Sequence, residues 1–488
     1  MEQHDAATAP ILPGFFPDPT ICRSGDEYFI ANSSFEYSPG VPLWRSSDLL
    51  AWREAGHALD GDPAFPAGDA GAGGGVYAPT LRFHDGRFWM ITTNVSGAPG
   101  QLVTSAPAID GPWGPARIIE GIRGIDPDLA WDDDGTCLVT FSSNDPDVPG
   151  IGQVRVDLDR GIVIGAACSV MPGTGLAYPE GPHLFRRGEW WYLLFAEGGT
   201  ERGHCVSVAR AAAASGPFEL CPANPILTRR STTFPVQNTG HADLVELPDG
   251  SWSMVYLGVR PRGATPQFHV NGRETFLAGI DWVDDWPVVV PGRYRPPAPE
   301  TAFSDRFEGD RLHPRWTSPG ETPERFTTTG AGVEVRPATS TNGAPALLSV
   351  RARDPYWRFA AVTDARDGAA LRVRMDERHW YELRIAEGRA LVRAQIGPVA
   401  QEFPSDGALS VHGNIELWVR ADAATAGGPD DLVFGVRDTG GIHDIIRLDG
   451  RYLSTEVAGG FVGRVIGLRA VGSPVRFAEV HYEPAEAH

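Results

Sequence analysis

Lysine is absent from this 488-residue sequence, so arginine alone accounts for all 42 Lys+Arg residues. We interpret this bias as genomic codon usage rather than as a feature of mechanism. The 62 Asp and Glu residues outnumber the arginines and leave a formal net charge of −20. Such a charge argues against nucleic acid or an anionic membrane as the main partner, because both require a basic surface.

Cysteine and long apolar runs are also scarce. The 5 cysteines are widely spaced and form no C-x-x-C pair, which predicts reduced thiols rather than a disulfide framework or a zinc site. No stretch approaches the ~20 apolar residues of a transmembrane helix. The first residues, MEQHDAATAP, have neither the basic start nor the apolar core of a signal peptide. We therefore expect a cytoplasmic protein with no membrane partner.

Turns and aromatic residues are abundant instead, with 58 Gly, 42 Pro, 14 Trp and 22 Phe. A turn glycine followed by a short aromatic and β-branched run recurs five times, at intervals of roughly 50–60 residues. Gly with a preceding Asp between apolar runs is a strong hairpin signal. The five turn glycines are Gly25, Gly86, Gly135, Gly188 and Gly250. The repeat predicts an all-β fold with a five-bladed propeller over residues 10–300. Two stacked β-sandwiches with hairpins at chance spacing are the alternative.

The sequence changes character after a Pro-rich break near residue 300, WPVVVPGRYRPPAPETA. Strands beyond it alternate strictly between apolar and polar residues, as in Leu371, Arg372 and Val373. One dry face and one wet face are typical of an antiparallel sandwich. We therefore predict a second domain, a β-sandwich, over residues 302–488.

A second repeated segment precedes each hairpin and reads FPDPTI, YAPTL, IDPDL, YPEGPHL and GHADL. Aligned on the apolar residue that follows, its key positions are Asp18, Ala78, Asp126, Glu180 and His241. Equivalent positions of propeller blades are related by rotation about the central axis. If this segment forms the inner strand, three carboxyl groups and one imidazole converge on one pocket.

Three carboxyl groups in one pocket raise at least one pKa, which leaves a protonated acid beside an ionised base. Glycoside hydrolysis needs that pair, about 6.5–9.5 Å apart for direct attack by water or about 5–5.5 Å for attack by the carboxylate. Taken singly, Asp18 and Asp126 before proline are more typical of turns, Glu180 of a loop, and His241 of a core histidine. The shared alignment favours the catalytic interpretation.

These residues resemble glycoside hydrolase family 43, the β-xylosidases and α-L-arabinofuranosidases. The resemblance runs in family order from about residue 10 to 290, and the C-terminal half resembles the family's concanavalin-like sandwich with weaker signals. The matching segments include ILPGFFPDPTIC, GGVYAPTLR, GIDPDLAWDDDG, EGPHLFRRGEWWYLLFAEGGT, NTGHADLVELPDG and GRETFLAGIDWVDDWP.

The resemblance implies an inverting mechanism. By match, Asp18 is the general base that activates water, Glu180 is the general acid, and Asp126 orients Glu180 and raises its pKa. Arg273 matches an arginine that holds sugar hydroxyls, and Phe35 and Tyr77 match aromatic walls of the first subsite.

Further implications concern the metal and the departures from the family pattern. His241 matches a histidine that in many relatives lies beside a hydrated calcium ion, so we expect no required cofactor and an optional structural calcium on the axis. Phe16 replaces the usual asparagine and Tyr77 a more frequent tryptophan, both near the expected sugar subsite. The C-terminal sandwich either binds sugar through aromatics such as Trp357 and Trp380 or packs beside the pocket; we favour packing.

We therefore predict an exo-acting hydrolase that releases β-D-xylose from short xylo-oligosaccharides, its oligosaccharide substrates. An α-L-arabinofuranosidase or a bifunctional enzyme is the alternative, and a non-catalytic carbohydrate-binding propeller is a further one. The five repeats lack the G-H…W-D signature of WD-repeat scaffolds. The sequence also allows a homo-oligomer.

Overall fold

A computed structural model of the chain describes residues 9–61, 70–340, 343–364, 367–408 and 414–486. The first eight residues, on which the prediction of no signal peptide partly depends, and the last two of the predicted C-terminal domain lie outside this part. Within it, no helix is long and apolar enough to cross a membrane. All five cysteine thiols are free.

The N-terminal part of the chain is built from short antiparallel strands. These are β1 (Thr20–Ser24), β2 (Glu27–Ala31), β3 (Tyr37–Ser38), β4 (Gly40–Ser46), β5 (Arg53–Leu59), β6 (Thr80–His84), β7 (Arg87–Thr92), β8 (Gln101–Ala106), β9 (Arg117–Ile119), β10 (Gly124–Trp131), β11 (Cys137–Ser143), β12 (Ile151–Asp157), β13 (Ile162–Met171), β14 (Glu180–Arg187), β15 (Trp190–Glu197), β16 (Cys205–Ala211), β17 (Glu219–Leu220), β18 (Leu227–Thr228), β19 (Gln237–Glu246), β20 (Trp252–Val259), β21 (Glu274–Val283) and β22 (Trp286–Val290).

These strands form consecutive sheets, each containing one copy of the sequence repeat. The strand orders are β1-β2-β4-β5, β6-β7-β8-β9, β10-β11-β12-β13, β14-β15-β16-β17 with β18 on β16, and β19-β20-β21-β22. The predicted turn glycines join the first two strands of each sheet. The first strands contact one another in turn, and β19 also contacts β1, so the sheets close into a ring. The all-β propeller prediction is confirmed.

The C-terminal part holds the remaining strands. These are β23 (Phe303–Asp305), β24 (Ser318–Pro319), β25 (Thr327–Thr329), β26 (Val333–Val335), β27 (Leu348–Arg351), β28 (Trp357–Thr363), β29 (Ala369–Arg374), β30 (His379–Ala386), β31 (Arg389–Ile396), β32 (Val399–Ala408), β33 (Ile415–Asp422), β34 (Asp431–Asp438), β35 (Gly441–Asp449), β36 (Val465–Ala470) and β37 (Val475–Pro484). The helical elements described are 3-10 turns at Pro323–Arg325 and Gly450–Leu453 and the short helix α1 (Thr455–Ala458).

Two sheets face each other in this part, with orders β25-β26-β37-β28-β33-β34-β35 and β27-β36-β29-β30-β31-β32. Alternate side chains of both sheets form the largest buried apolar cluster, as expected for a sandwich. The predicted sandwich is confirmed. Strand β24 pairs with β3, which lies in the connection between β2 and β4, so the sandwich docks directly on the ring.

Candidate active site

The inner strands of the ring carry bulges where the sequence places its titratable residues. The strand register shifts between Ile125 and Asp128 in β10, between Glu180 and His183 in β14, and between Gly240 and Asp243 in β19. A bulge bends a strand and redirects a side chain. Asp126 and His241 lie in such bulges with φ of 55° and 43°, and Asp18 before β1 has φ 52°. The unusual left-handed backbone thus recurs at equivalent points of the ring.

Glu180 departs from the alignment that the sequence suggested. The register places it one residue before the position of Asp126 and His241, and that position is held in β14 by Gly181. Gly181 has φ 55°, and a Cβ atom there would lie 2.8 Å from Nε2 of His241. Glycine is therefore required at this bulge, and Glu180 reaches the pocket from the neighbouring position.

Asp18 is buried and tightly held. Its Oδ1 accepts a hydrogen bond from Nη1 of Arg273 at 2.8 Å, and its Oδ2 accepts one from the Ser33 hydroxyl at 2.5 Å. Nδ1 of His241 lies 3.7 Å from Oδ1. Burial alone would raise the pKa of Asp18, but Arg273 and His241 outweigh it and lower that pKa. Asp18 is therefore ionised at neutral pH.

Asp126 and Glu180 respond in the opposite direction. Burial, followed by the charge of Asp18, raises the pKa of Glu180 to about 7. Burial and the neighbouring Glu180 raise the pKa of Asp126 well above its ordinary value, against a hydrogen bond of 3.2 Å from the Gly181 amide. Glu180 and Asp126 are thus both protonated at a pH at which Asp18 is already ionised. We call Asp18, Asp126 and Glu180 the carboxylate cluster.

A second histidine, His204, faces this cluster and was not identified from the sequence. Its Nδ1 donates to the Asn238 carbonyl at 3.0 Å, and its Nε2 lies 3.8 Å from Oε1 of Glu180. Burial lowers the pKa of His204 to about 3 and that of His241 to about 4. A neutral imidazole that donates through Nδ1 leaves Nε2 as an acceptor, which suits a protonated Glu180. No sequence signal marked His204, because GHC resembles no repeat segment.

Arg273 lies where the sequence predicted it, beside the carboxylate cluster. Besides Asp18, it donates to the Thr200 hydroxyl and to the Phe461 carbonyl, each at 3.2 Å. Its guanidinium carbon lies 5.6 Å from the ring centre of Phe35 and 5.6 Å from that of Phe461. The arginine therefore links the ring, the cluster and the sandwich.

Phe35 and Tyr77 form an aromatic wall together with Phe461. Their ring centres lie 5.2 Å apart, and the Phe461 ring lies 5.7 Å from Phe35 and 5.9 Å from Tyr77. Phe461 belongs to the sandwich and follows α1, so the sandwich packs beside the pocket. Phe461 was not predicted as a site residue, because its neighbours AGGFVG carry no motif.

Three other aromatic residues highlighted by the sequence lie elsewhere. Phe16 packs edge-on against Trp44 at 4.8 Å rather than beside Phe35. Trp357 is only 1% exposed within the sandwich core, so it cannot stack on a sugar. Trp380 is covered by Arg372, whose guanidinium carbon lies 3.8 Å from the ring centre.

A second set of polar side chains lies further along the inner strands, and Thr20, Asp128 and Asp243 come two residues after Asp18, Asp126 and His241. We call it the axial network: Thr20, Arg82, Asp128, His183 and Asp243. Arg82 donates to Asp128 and to Asp243, each at 2.7 Å, and the Thr20 hydroxyl donates to Asp243 at 2.8 Å. The paired acids of GIDPD and the spacing of GHAD were the signals that sequence analysis left unused.

The axial network bears on the expected calcium ion. In the described residues, no three His, Cys, Asp or Glu side chains are arranged to hold a metal. The carboxylates nearest the axis, Asp128 and Asp243, are already bonded to Arg82. The carboxylate oxygens of Asp128 and Asp243 therefore do not fit direct coordination of a divalent cation. A calcium ion held by His241 through water stays a prediction, and no catalytic step is assigned to it.

Comparison with known proteins agrees with this geometry. Residues 7–287 match the model of glycosyl hydrolases family 43, and residues 304–483 match the beta xylosidase C-terminal concanavalin A-like domain. A xylosidase/arabinosidase of Butyrivibrio fibrisolvens is 34% identical over 95% of both chains. A non-reducing end alpha-L-arabinofuranosidase of Bacteroides ovatus is 32% identical over 95% of this chain and 91% of its own.

Solved structures extend the likeness across both domains. A Bacteroides ovatus GH43B structure superposes with a TM-score of 0.88 at 30% identity, covering 98% of this chain and 99% of the other. A xylan beta-1,4-xylosidase of Bacillus halodurans superposes with a TM-score of 0.83 at 25% identity, covering 97% and 99%. The resemblance noted in the motifs is thus confirmed over nearly the whole chain, and the protein belongs to glycosyl hydrolase family 43 and is a glycoside hydrolase.

Proposed function

We propose that this glycoside hydrolase releases terminal β-D-xylose from short oligosaccharides with inversion, using Asp18 as general base and Glu180 as general acid. The proposal rests on one observation: two carboxyl groups in the same pocket have pKa values shifted in opposite directions. The pKa of Asp18 is lowered, and that of Glu180 is raised to about 7. Carboxyl groups whose environments separate their pKa values are the usual acid and base of a glycosidase.

Asp18 is suited to activate water because its charge is held in place. Arg273 and Ser33 hydrogen-bond to different oxygens of its carboxylate, which fixes the plane of the group. In an inverting reaction, this carboxylate takes a proton from the water that attacks the anomeric carbon. Replacing Asp18 with alanine would leave Arg273 buried without its carboxylate partner, so Asp18→Asn is the better probe of its chemistry.

Glu180 is suited to protonate the leaving oxygen. It shares a raised pKa with Asp126, and two interacting carboxyl groups titrate as a pair. The Glu180 side chain is 22% exposed, whereas Asp126 is 7% exposed. We assign the transferred proton to Glu180, because it is the member of the pair that a substrate can reach. Asp126 then positions Glu180 and shares its proton.

The substrate assignment rests on the surroundings of the cluster. An aromatic wall offers apolar faces to a sugar ring, and Arg273 offers donors to hydroxyl groups. Burial of Asp18 and Asp126 favours a small terminal sugar and exo action. The names of the relatives, which include xylosidase/arabinosidase and arabinofuranosidase, favour a pentose and make α-L-arabinofuranosidase activity the second candidate.

The decisive experiment compares 4-nitrophenyl β-D-xylopyranoside with 4-nitrophenyl α-L-arabinofuranoside on wild-type protein, Asp18→Asn and Glu180→Gln. We expect a larger kcat/KM on the xyloside, and near-complete loss in Asp18→Asn. The anomer first formed, followed by proton NMR during turnover on xylobiose, should be α-xylose.

Each alternative has a distinct outcome in the same experiment. A larger kcat/KM on the arabinoside would identify arabinose as the preferred sugar and would leave the proposed mechanism unchanged. First formation of β-xylose contradicts inversion. Binding of xylobiose by calorimetry without hydrolysis of any substrate would instead support a carbohydrate-binding propeller.

A further inference from the structure

A second cavity lies between the ring and the sandwich, away from the carboxylate cluster. It has a volume of about 590 Å³, within the range of small-molecule sites. One side is formed by the first sheet, through residues of β4 and β5. The other is formed by the segment before β23 and by residues at the end of β27. None of Asp18, Asp126, Glu180 or Arg273 lines this interdomain cleft.

The interdomain cleft is basic in a chain whose net charge is −20. Four arginines line it, Arg53, Arg315, Arg351 and Arg353, against two acids, Glu54 and Glu300. Glu54 contacts His313, with 3.2 Å between Oε2 and Nδ1. Within the described ranges, no carboxylate lies within 4.0 Å of the guanidinium nitrogens of Arg315, Arg351 or Arg353, although most other buried arginines have such a partner.

Arg351 is the strongest indication of a ligand. It is only 6% exposed, and in the described chain its Nε and Nη2 have no hydrogen-bond acceptor. Its guanidinium carbon lies 4.6 Å from the ring centre of Phe16 and 5.4 Å from that of Phe15. Burial lowers the pKa of Arg351 to about 10, and Arg353 adds to this effect. A buried cation without a counter-charge is costly, and a perturbed group beside a cavity is typical of a functional site.

Two further polar groups of the lining lack partners. Nε1 of Trp44 and Nε2 of His57 are buried without hydrogen bonds in the described part of the chain. Burial lowers the pKa of His57 to about 3, so its imidazole is neutral. Arg353 lies over the Trp44 ring at 5.7 Å. The unpartnered groups of the lining thus include several hydrogen-bond donors. A guanidinium group can donate two parallel hydrogen bonds to two oxygens of a carboxylate or phosphate group.

We propose that the interdomain cleft binds a small oxyanion, a carboxylate or phosphate group, through Arg351 and Arg353. Glu54 acts on these arginines only from beyond ion-pair distance, so the oxyanion supplies the direct counter-charge, and its oxygens accept hydrogen bonds from the donors of the lining. The two sources of this chemistry are a free inorganic anion and a carboxylate carried on a sugar or another organic molecule. This site is separate from the proposed catalytic pocket and does not depend on the assignment of Asp18 or Glu180.

Isothermal titration calorimetry tests the proposal with inorganic phosphate, D-glucuronate and neutral D-glucose as probes. The proteins are wild type, Arg351→Met and Arg353→Met, with Arg389→Met as a control that removes one exposed arginine of β31. We expect wild type to bind at least one anion, and both cleft variants to bind it at least tenfold more weakly. Arg389→Met should bind like wild type.

The relative affinities separate the sources, since tighter binding of glucuronate indicates an organic carboxylate and tighter binding of phosphate a free anion. The proposal is overturned if wild type binds neither anion, or if all four proteins bind alike. The proposal would likewise be overturned if neutral glucose bound as tightly as the tighter-binding anion. If Arg351→Met does not fold, the affinity of Arg353→Met for the anion decides whether the proposal stands.

Discussion

The carboxylate cluster and the axial network lie on the same inner strands yet treat charge in opposite ways. In the axial network, Arg82 pairs with both Asp128 and Asp243, and these partners outweigh burial and raise the pKa of Arg82. In the carboxylate cluster there is one guanidinium, that of Arg273, and Asp18 is the only one of the three carboxyl groups to which it bonds. Every carboxylate of the first set thus has an arginine partner, whereas Asp126 and Glu180 in the second set have none among the described residues.

A shift of two or three residues along a strand therefore separates charges with a structural role from carboxyl groups suited to catalysis. Compensated buried charges hold the centre of the ring together, since breaking such a pair leaves an unpaired buried charge. Uncompensated carboxyl groups hold a proton near neutral pH and are thereby able to transfer it. Variants in either set of residues test this difference.

Glu180→Gln should abolish most turnover on xylobiose, by on the order of 10²–10⁴-fold in kcat, because the amide has no proton to give. The carboxyl of Glu180 has a raised pKa, so it costs stability as the pH rises from its ordinary value to the raised one. The variant is therefore expected to keep or raise Tm at pH 7. Glu201→Gln, an exposed acid that also raises the pKa of Glu180, is the matched control. An equal loss of turnover in both variants would contradict the assignment.

Arg82→Met should have its main effect on folding. Removing the guanidinium leaves Asp128 and Asp243 buried without their partner, at a cost of about 3–5 kcal/mol in the free energy of unfolding. Arg45→Met removes an arginine that pairs with Glu27 in a partly exposed position, and should cost no more than about 1 kcal/mol. Urea denaturation of both variants provides the comparison. Similar costs would show that the axial network is not structural.

Asp126→Asn should move the upper pH limit of activity rather than remove it. Glu180 raises the pKa of Asp126, and two such carboxyl groups titrate as a pair that holds its last proton to higher pH. Asparagine removes one member of the pair, so Glu180 alone should lose its proton at lower pH. The alkaline limb of kcat/KM should therefore shift to lower pH. Ser33→Ala, which changes the surroundings of Asp18 only, should leave this limb in place. An unmoved limb in Asp126→Asn would show that the two carboxyl groups do not interact.

Metal removal should have the smallest effect. Arg82 already supplies positive charge between Asp128 and Asp243, so dialysis against EDTA should leave Tm unchanged within error. Addition of calcium to about 1 mM, on the order of the dissociation constants of the weaker protein sites, should then produce no rise in Tm. A reproducible increase in Tm with calcium would instead support the water-mediated site at His241.

Much of the fold was predictable because its signals are local. The Asp-Gly turns and the aromatic strands that follow fixed the hairpins, as at Gly86 and Gly250. The motif resemblance identified Asp18, Glu180 and Arg273, which the structure brings together. Their catalytic roles remain predictions.

Other features depend on register and on long-range packing, which a sequence does not display. The one-residue displacement of Glu180 follows from a bulge at Gly181. Phe461 reaches Phe35 only because the sandwich docks on the ring, where β24 pairs with β3. The unpaired Arg351 is visible only once the neighbouring carboxylates have been placed.

The pH dependence of kcat/KM, measured for wild type and Glu180→Gln on xylobiose, is the most direct test of Glu180 as the proton donor. Xylobiose has an unactivated leaving group that needs protonation, and a high concentration of the variant keeps its residual turnover measurable. We predict that wild-type activity falls as the pH rises above about 7, the raised pKa of Glu180, and that this limb is absent in Glu180→Gln. A wild-type profile that stays level through pH 7 to 9, or the same limb in both proteins, would contradict the account.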